Sequence, residues 1–176
     1  MMRQNLKADI EPDLRADAVG RKFRTLVLLM AERGLTLSTM ESCTGGLLAS
    51  LFTDTEGSSA VFRGSYITYS NEEKIRLGVP AQTIEDHGVY SVQTADAMAQ
   101  VCATAFSTDI SIGVTGTFTN PDPANADSVP GEVHFSICNK GRVRDFSCTV
   151  PALPSRHACK LHVADIIADR LFEELG

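Results

Sequence analysis

Apolar residues along this chain switch period repeatedly, and that alternation restricts the fold more than any other property. From Ala18 to Ala31 they recur with helical spacing, and Gly34 follows as a helix stop. Leu35 to Glu41 is short and β-rich, and Leu47 to Phe52 returns to a helix. Val61 to Tyr69 alternates as a strand despite Gly64. Ser70-Asn71-Glu72-Glu73 matches a capping box, in which Ser70 and Glu73 each bond the other's backbone, and opens a short helix ending near Gly78. Thr83 to Gly88 adds a helical turn, and Ser91 or Thr94 caps a longer helix to about Phe106. Asp109 to Val114 is a strand that ends at Thr115-Gly116. Glu132 to Cys138 and Arg142 to Val150 form a hairpin around Asn139-Lys140-Gly141, and Arg156 to Leu175 is a final helix. Helices that alternate with strands, followed by a late hairpin, predict an α/β fold with a mixed sheet and helices on both faces.

Bulk properties agree with one domain from about residue 16 to 176, preceded by a polar arm, Met1 to about Arg15. Trp is absent and aromatics are only 6%, so the core must lean on Leu, Ile, Val and Ala. The net charge of -6 argues against a surface built to neutralise nucleic-acid phosphates. Five cysteines without CxxC spacing, and four histidines without an HxxxH pair, give no disulfide framework or zinc site. No metal and no cofactor is therefore expected, and reduced thiols fit a cytoplasmic location. Lys7, Asp9, Glu11 and Asp13 interrupt any leader-like apolar run, and no stretch is long enough to cross a membrane.

The chemistry concentrates at the turn Glu41-Ser42-Cys43-Thr44-Gly45-Gly46. Backbone N–H groups at a helix start stabilise an anion or a developing oxyanion, and glycines let a ligand approach closely. Ser42 is then a nucleophile, or else Ser42 or Thr44 is an ordinary N-cap. Lys74 lies early in the helix opened by Ser70. Partial burial there would favour its neutral amine, and a Ser–Lys pair performs acyl transfer without histidine or metal. The alternative is a solvated surface lysine. Tyr69 either relays a proton or is a half-buried strand tyrosine. Thr115 and Gly116 end another strand, where ligands collect in open α/β sheets. Arg156 and Lys160, one turn apart on the last helix, hold a phosphate or form a solvated helix face. Cys43 has no histidine nearby in sequence and reads as a packing residue. The prolines and absent period of Thr117 to Pro130 mark a long loop, and loops of this length in compact domains are usually functional or disordered.

Taken together, these residues resemble a known family. Met40 to Leu47 looks like its AESCTGGL, Asp54 to Ala60 resembles its D-x-x-GSS-A, and Tyr69 to Lys74 resembles its YSNEAK. Gly78-Val79 and His87 to Ser91 are similar to its GV and HGAVS. The family is the CinA C-terminal domain family, which includes the stand-alone nicotinamide-nucleotide amidases called PncC. The resemblance runs from about Ala18 to Leu171. It implies a three-layer α/β/α sandwich and hydrolysis of nicotinamide mononucleotide to nicotinate mononucleotide and ammonia. It implies Ser42 as nucleophile, Lys74 as its base and Tyr69 as an assistant, with the oxyanion held by N–H groups near Gly45 and Gly46. Thr44, Gly45, Gly46, Thr115, Gly116 and Arg156 would bind substrate, Arg156 facing the phosphate. The partner implied is a small pyridine nucleotide, with no nucleic acid and no membrane; a homodimer is compatible because family members often assemble.

The loop departs from the family. Its TGIAGPDGG and KPVGTV become Thr115 to Pro123 and Val129 to Val133 here, with polar residues and prolines in place of glycines. The loop is expected to wall the pocket. Two further readings therefore stand beside the first: the same mechanism on another amide, or a non-catalytic nucleotide-binding module.

Overall fold

The structure is a computed structural model and describes residues 14–126 and 128–176. The expected N-terminal arm, as far as residue 13, lies outside the described residues. Helix α1 (Leu14–Glu32) leads to β1 (Leu37–Glu41) and α2 (Leu47–Thr53). A 3-10 turn at Ser58–Ala60 precedes β2 (Phe62–Ile67), α3 (Asn71–Arg76), α4 (Ala81–His87) and α5 (Val92–Phe106). Then come β3 (Ile110–Gly116), β4 (Glu132–Asn139), β5 (Arg142–Thr149) and α6 (Arg156–Leu175).

The five strands form one sheet in the order β2-β1-β3-β4-β5. β1 runs parallel to both β2 and β3, whereas β3, β4 and β5 are antiparallel in succession. The sheet is mixed, as the late hairpin requires. The carboxyl ends of β1, β2 and β3 all point to one edge of the molecule, and β4 begins there.

Two layers of helix cover the sheet. α1, α2 and α6 bury Phe23, Leu26, Met30, Phe52, Ile167 and Leu171 against Ile110, Ile112 and Val114 of β3 and Phe135 of β4. Phe23 meets Phe52 edge-on with centroids 4.8 Å apart, an arrangement worth about 1 kcal/mol beyond area burial. The opposite face of β3 is small and polar, and α5 lies directly on it. Ser111 Oγ donates to Ala99 O at 2.7 Å, and Thr115 Oγ1 to Val89 O at 3.0 Å. A Cβ on Gly113 would come within 2.1 Å of Ala95 O, so only glycine admits α5 at this depth.

Most element boundaries agree with the sequence to within a few residues. The N-terminal helix starts earlier than expected, at Leu14. β2 ends at Ile67, short of the expected Tyr69. Thr68 instead turns out of the sheet, its N–H donating to Glu41 O at 2.8 Å and its carbonyl receiving a lysine. The hairpin turn is as expected, with Lys140 and Gly141 both at positive φ.

Candidate active site

β1 delivers Glu41 and Ser42 to the strand-end edge, and the chain reverses through Gly46 into α2. The Glu41 side chain is fully buried. Its carboxylate accepts from Gly46 N at 2.9 Å, Leu48 N at 3.1 Å, Ala49 N at 2.9 Å and Thr39 Oγ1 at 3.2 Å. A charge on the preceding strand thus caps α2. This corrects two expectations. Neither Ser42 nor Thr44 is the cap: Gly46 holds that position with no side-chain bond, because the Glu41 carboxylate, with a longer arm and two acceptor oxygens, takes the helix donors instead. Nor are the glycine N–H groups open to a ligand. Gly46 donates to Glu41, and Gly45 donates to Ser42 O at 3.1 Å.

α3 delivers the partner of Ser42. Ser70 Oγ accepts from Glu73 N at 3.3 Å, half of the expected capping box. The other half is missing, since Glu73 turns to Arg76, 2.9 Å from Nε and 2.5 Å from Nη2. Lys74 points inward and is only 1% exposed. Its Nζ donates to Thr68 O at 2.8 Å and to Ser42 Oγ at 3.1 Å. Burial pulls its pKa down from 10.5 to about 8, against smaller opposing effects of Cys43, Asp122 and Glu72. The solvated-lysine reading is therefore wrong for this side chain. Ser42, 5% exposed, sits between Lys74 and an open cleft.

That cleft has a volume of about 470 Å³ and lies beyond the carboxyl ends of the parallel strands. Tyr69, 68% exposed, stands on its wall, and Arg156 Nη2 donates to Tyr69 Oη at 3.3 Å. The Arg156 guanidinium also lies 5.2 Å from the centre of the Phe118 ring. Gly116 lines the cleft with φ at 151°, and a Cβ there would meet Glu132 O at 2.5 Å. The long loop after it forms a wall through Phe118 and Asn120 to Asn125.

The loop is organised by a residue the sequence reading did not single out. Asp122 Oδ2 accepts from Tyr90 Oη at 2.5 Å and Asn125 Nδ2 at 2.6 Å, while Oδ1 accepts from Ala124 N at 3.0 Å. Asn71 of α3 then donates to Asn125 Oδ1 at 2.9 Å, which ties the loop to the helix that carries Lys74. One signal for Asp122 was present: it follows Pro121 as aspartate follows proline in the family's TGIAGPDGG. Glu41 carried no such signal, since the partners of its carboxylate appear only once α2 has formed.

Other expected site residues lie outside the lining. Thr115 is fully buried with its hydroxyl spent on Val89 O, so it supports the sheet beneath the cleft. Thr44 is fully buried, and its hydroxyl has no partner among the described residues. Gly45 and Gly46 do not line the cleft either. Lys160 Nζ packs against Gly45, 2.9 Å from where a Cβ would stand, instead of joining Arg156. Cys43 does line the cleft, but burial pushes its thiol pKa up to about 12, so the thiol stays protonated.

A mixed sheet with helices on both faces, bearing a buried Ser–Lys contact at its strand ends, defines the class of this protein as an α/β fold with a strand-end cleft. The chain belongs to the CinA C-terminal domain family, whose model matches residues 22–173. It is 42% identical over 126 residues to a putative competence-damage inducible protein of Symbiobacterium thermophilum, covering 71% of this chain and 28% of that protein. It is 40% identical over 144 residues to a CinA-like protein of Citrifermentans bemidjiense, covering 81% and 34%. The chain thus spans about a third of the length of the curated relatives it matches. Among solved structures, the competence/damage inducible protein CihA from Agrobacterium tumefaciens superposes with a TM-score of 0.79 at 30% identity, over 88% of this chain and 94% of that one. The competence or damage-inducible protein from Enterobacter asburiae gives 0.83 at 26%, over 90% and 98%.

Proposed function

We propose that this protein is an amidohydrolase that converts nicotinamide mononucleotide to nicotinate mononucleotide and ammonia through a Ser–Lys mechanism. The observation that carries the reading is the buried contact of 3.1 Å between Lys74 Nζ and Ser42 Oγ. With its pKa near 8, Lys74 has a substantial neutral fraction at physiological pH and can accept the serine proton. Ser42 Oγ then attacks the carboxamide carbon. The proton passes to the departing nitrogen, ammonia leaves, and an ester to Ser42 remains. Water, deprotonated by the same lysine, hydrolyses that ester and regenerates Ser42.

Tyr69 assists proton transfer from the cleft wall, and Arg156 meets the substrate phosphate. Oxyanion stabilisation falls to the N–H groups of Cys43 and Thr44. The Thr44 N–H donates to no other group among the described residues, whereas Gly45 and Gly46 are engaged. Thr44, Gly45, Gly46 and Thr115 act by shaping the turn and the floor beneath it, and Gly116 lets the loop depart. The rebuilt loop favours a second reading, the same chemistry on another amide.

The test is ammonia release from nicotinamide mononucleotide by the wild type and by Ser42→Ala. Release by the wild type alone supports the assignment. Equal release by both removes Ser42 as nucleophile, and release by neither removes the substrate.

A further inference from the structure

We propose that Phe118 is a positioning residue that fixes the Arg156 guanidinium at the cleft, so that this cation is in place before any ligand arrives. The inference rests on the amidase reading for the role of Arg156 toward the substrate phosphate. Among the described residues, three arginines lie over phenylalanine rings. Arg144 and Arg170 both lie over Phe146, and each also meets a carboxylate, Glu174 and Glu173 respectively. Arg156 lies 5.2 Å from the centre of the Phe118 ring and, among the described residues, meets no carboxylate. Its hydrogen-bond partner is neutral, Tyr69 Oη at 3.3 Å from Nη2.

An arginine in this place is held against two opposing effects. It opens α6, whose first turn has no acidic residue, so the helix dipole disfavours its charge. It is also exposed, and ordering a long mobile side chain at the moment of binding weakens affinity. The face of an aromatic ring offsets the first effect, because its negative quadrupole attracts the guanidinium. It reduces the second by ordering the side chain in the free protein. Phe118 can serve as that support because the core fixes it: it is 3% exposed and packs in the main apolar cluster while lining the cleft. Core packing explains why Phe118 is buried, but not why a cation without a carboxylate lies on its ring. The family's TGIAGPDGG contains no aromatic residue, so the ring belongs to the rebuilt loop of this chain.

Nicotinamide mononucleotide and nicotinamide riboside are the two main probes, since they differ only in the phosphate. Their binding is measured by calorimetry in Ser42→Ala, with inorganic phosphate as a third titrant. The mononucleotide is expected to bind about ten-fold tighter than the riboside or more. Phe118→Leu keeps an apolar filling and removes the ring; it should cut that preference about three-fold or more while the riboside binds as before. Phe118→Met should act alike, and Phe118→Tyr, which keeps a ring, should retain the preference. In Arg156→Ala, adding Phe118→Leu should change the preference no further. Equal weakening of both probes, the mark of a merely structural role, overturns the proposal, as does a preference that survives loss of the ring. If no Phe118 variant folds, the side-chain proton signals of Arg156 in the wild type decide: an upfield shift from the ring supports the placement, and its absence overturns it. Ammonia release with a preference indifferent to Phe118 removes this inference and leaves the amidase standing. Binding of inorganic phosphate alone, weakened by Phe118→Leu, does the reverse, and binding of none of the three removes both.

Discussion

A lysine with 1% exposure is costly to a fold unless its charge is used or removed. Lys74 meets that cost with two hydrogen bonds and a depressed pKa, and both effects make it measurable. On the amidase reading proposed above the neutral amine is the base, so kcat/KM should rise as pH rises through about 8 and then level off; a pH–rate profile checks this. Lys74→Met should lower kcat/KM by about a thousand-fold. Stability follows from the same shift. Between about 8 and 10.5 the unfolded chain holds the proton that the folded chain has lost, so wild-type stability rises with pH across that window. Below it the full cost of a buried ammonium is present. At pH 7 Lys74→Met should therefore gain about 1–2 kcal/mol after losing the bond to Thr68 O, raising Tm by about 3–6 °C. The gain should shrink at pH 10, and calorimetric melts at the two pH values decide it.

At the scale of elements, the strand–turn–helix unit depends on one carboxylate. Glu41 binds the N–H groups of Gly46, Leu48 and Ala49, so it closes the N-terminus of α2. Glu41→Ala should cost about 3 kcal/mol or more by leaving those buried donors unpaired, read as a drop in the urea midpoint. Glu41→Gln should fall between, since it keeps one oxygen acceptor and loses the charge. The carboxylate occupies the helix N-terminus, so the N–H groups it binds are closed to any other anion. The contact of α5 with β3 is equally particular. Gly113→Ala drives a methyl into Ala95 O, and chemical denaturation should record at least about 2 kcal/mol of destabilisation.

At the scale of the whole molecule, the cleft is assembled from parts far apart in sequence. Ser42 comes from just beyond β1, Tyr69 from beyond β2, Lys74 from α3, Gly116 from β3 and Arg156 from α6. The last helix therefore has two duties. It buries Leu161, Val163, Ile167 and Leu171 in the main core, and it carries Arg156 to the cleft. A chain ended at Ser155 should lose its cooperative thermal transition, because the apolar faces of α1 and the sheet would lie open. Among the described residues, no helix is long and apolar enough to cross a membrane.

Much of this was legible in the residues themselves. Period and stop signals located the helices and strands, since both depend on local spacing that any reader of the chain can count. Local chemistry, supported by family motifs, brought Ser42, Lys74, Tyr69, Gly116 and Arg156 to attention before any contact was known. What lay beyond the sequence was how each polar group is spent. The hydroxyl of Thr115 and the N–H of Gly46 looked available and are not, because Val89 and Glu41 take them. Lys74 read as more often solvated and is buried, because its side chain reaches in to Ser42 Oγ and Thr68 O at the strand ends. Asp122 looked like one loop residue among many and is the hub of its wall. The sequence by itself determined the elements, their order and which side chains are candidates for the site, because these follow from local chemistry. Only the tertiary structure decided burial and hydrogen-bond partners, because both depend on which distant segments close over a group and exclude water from it.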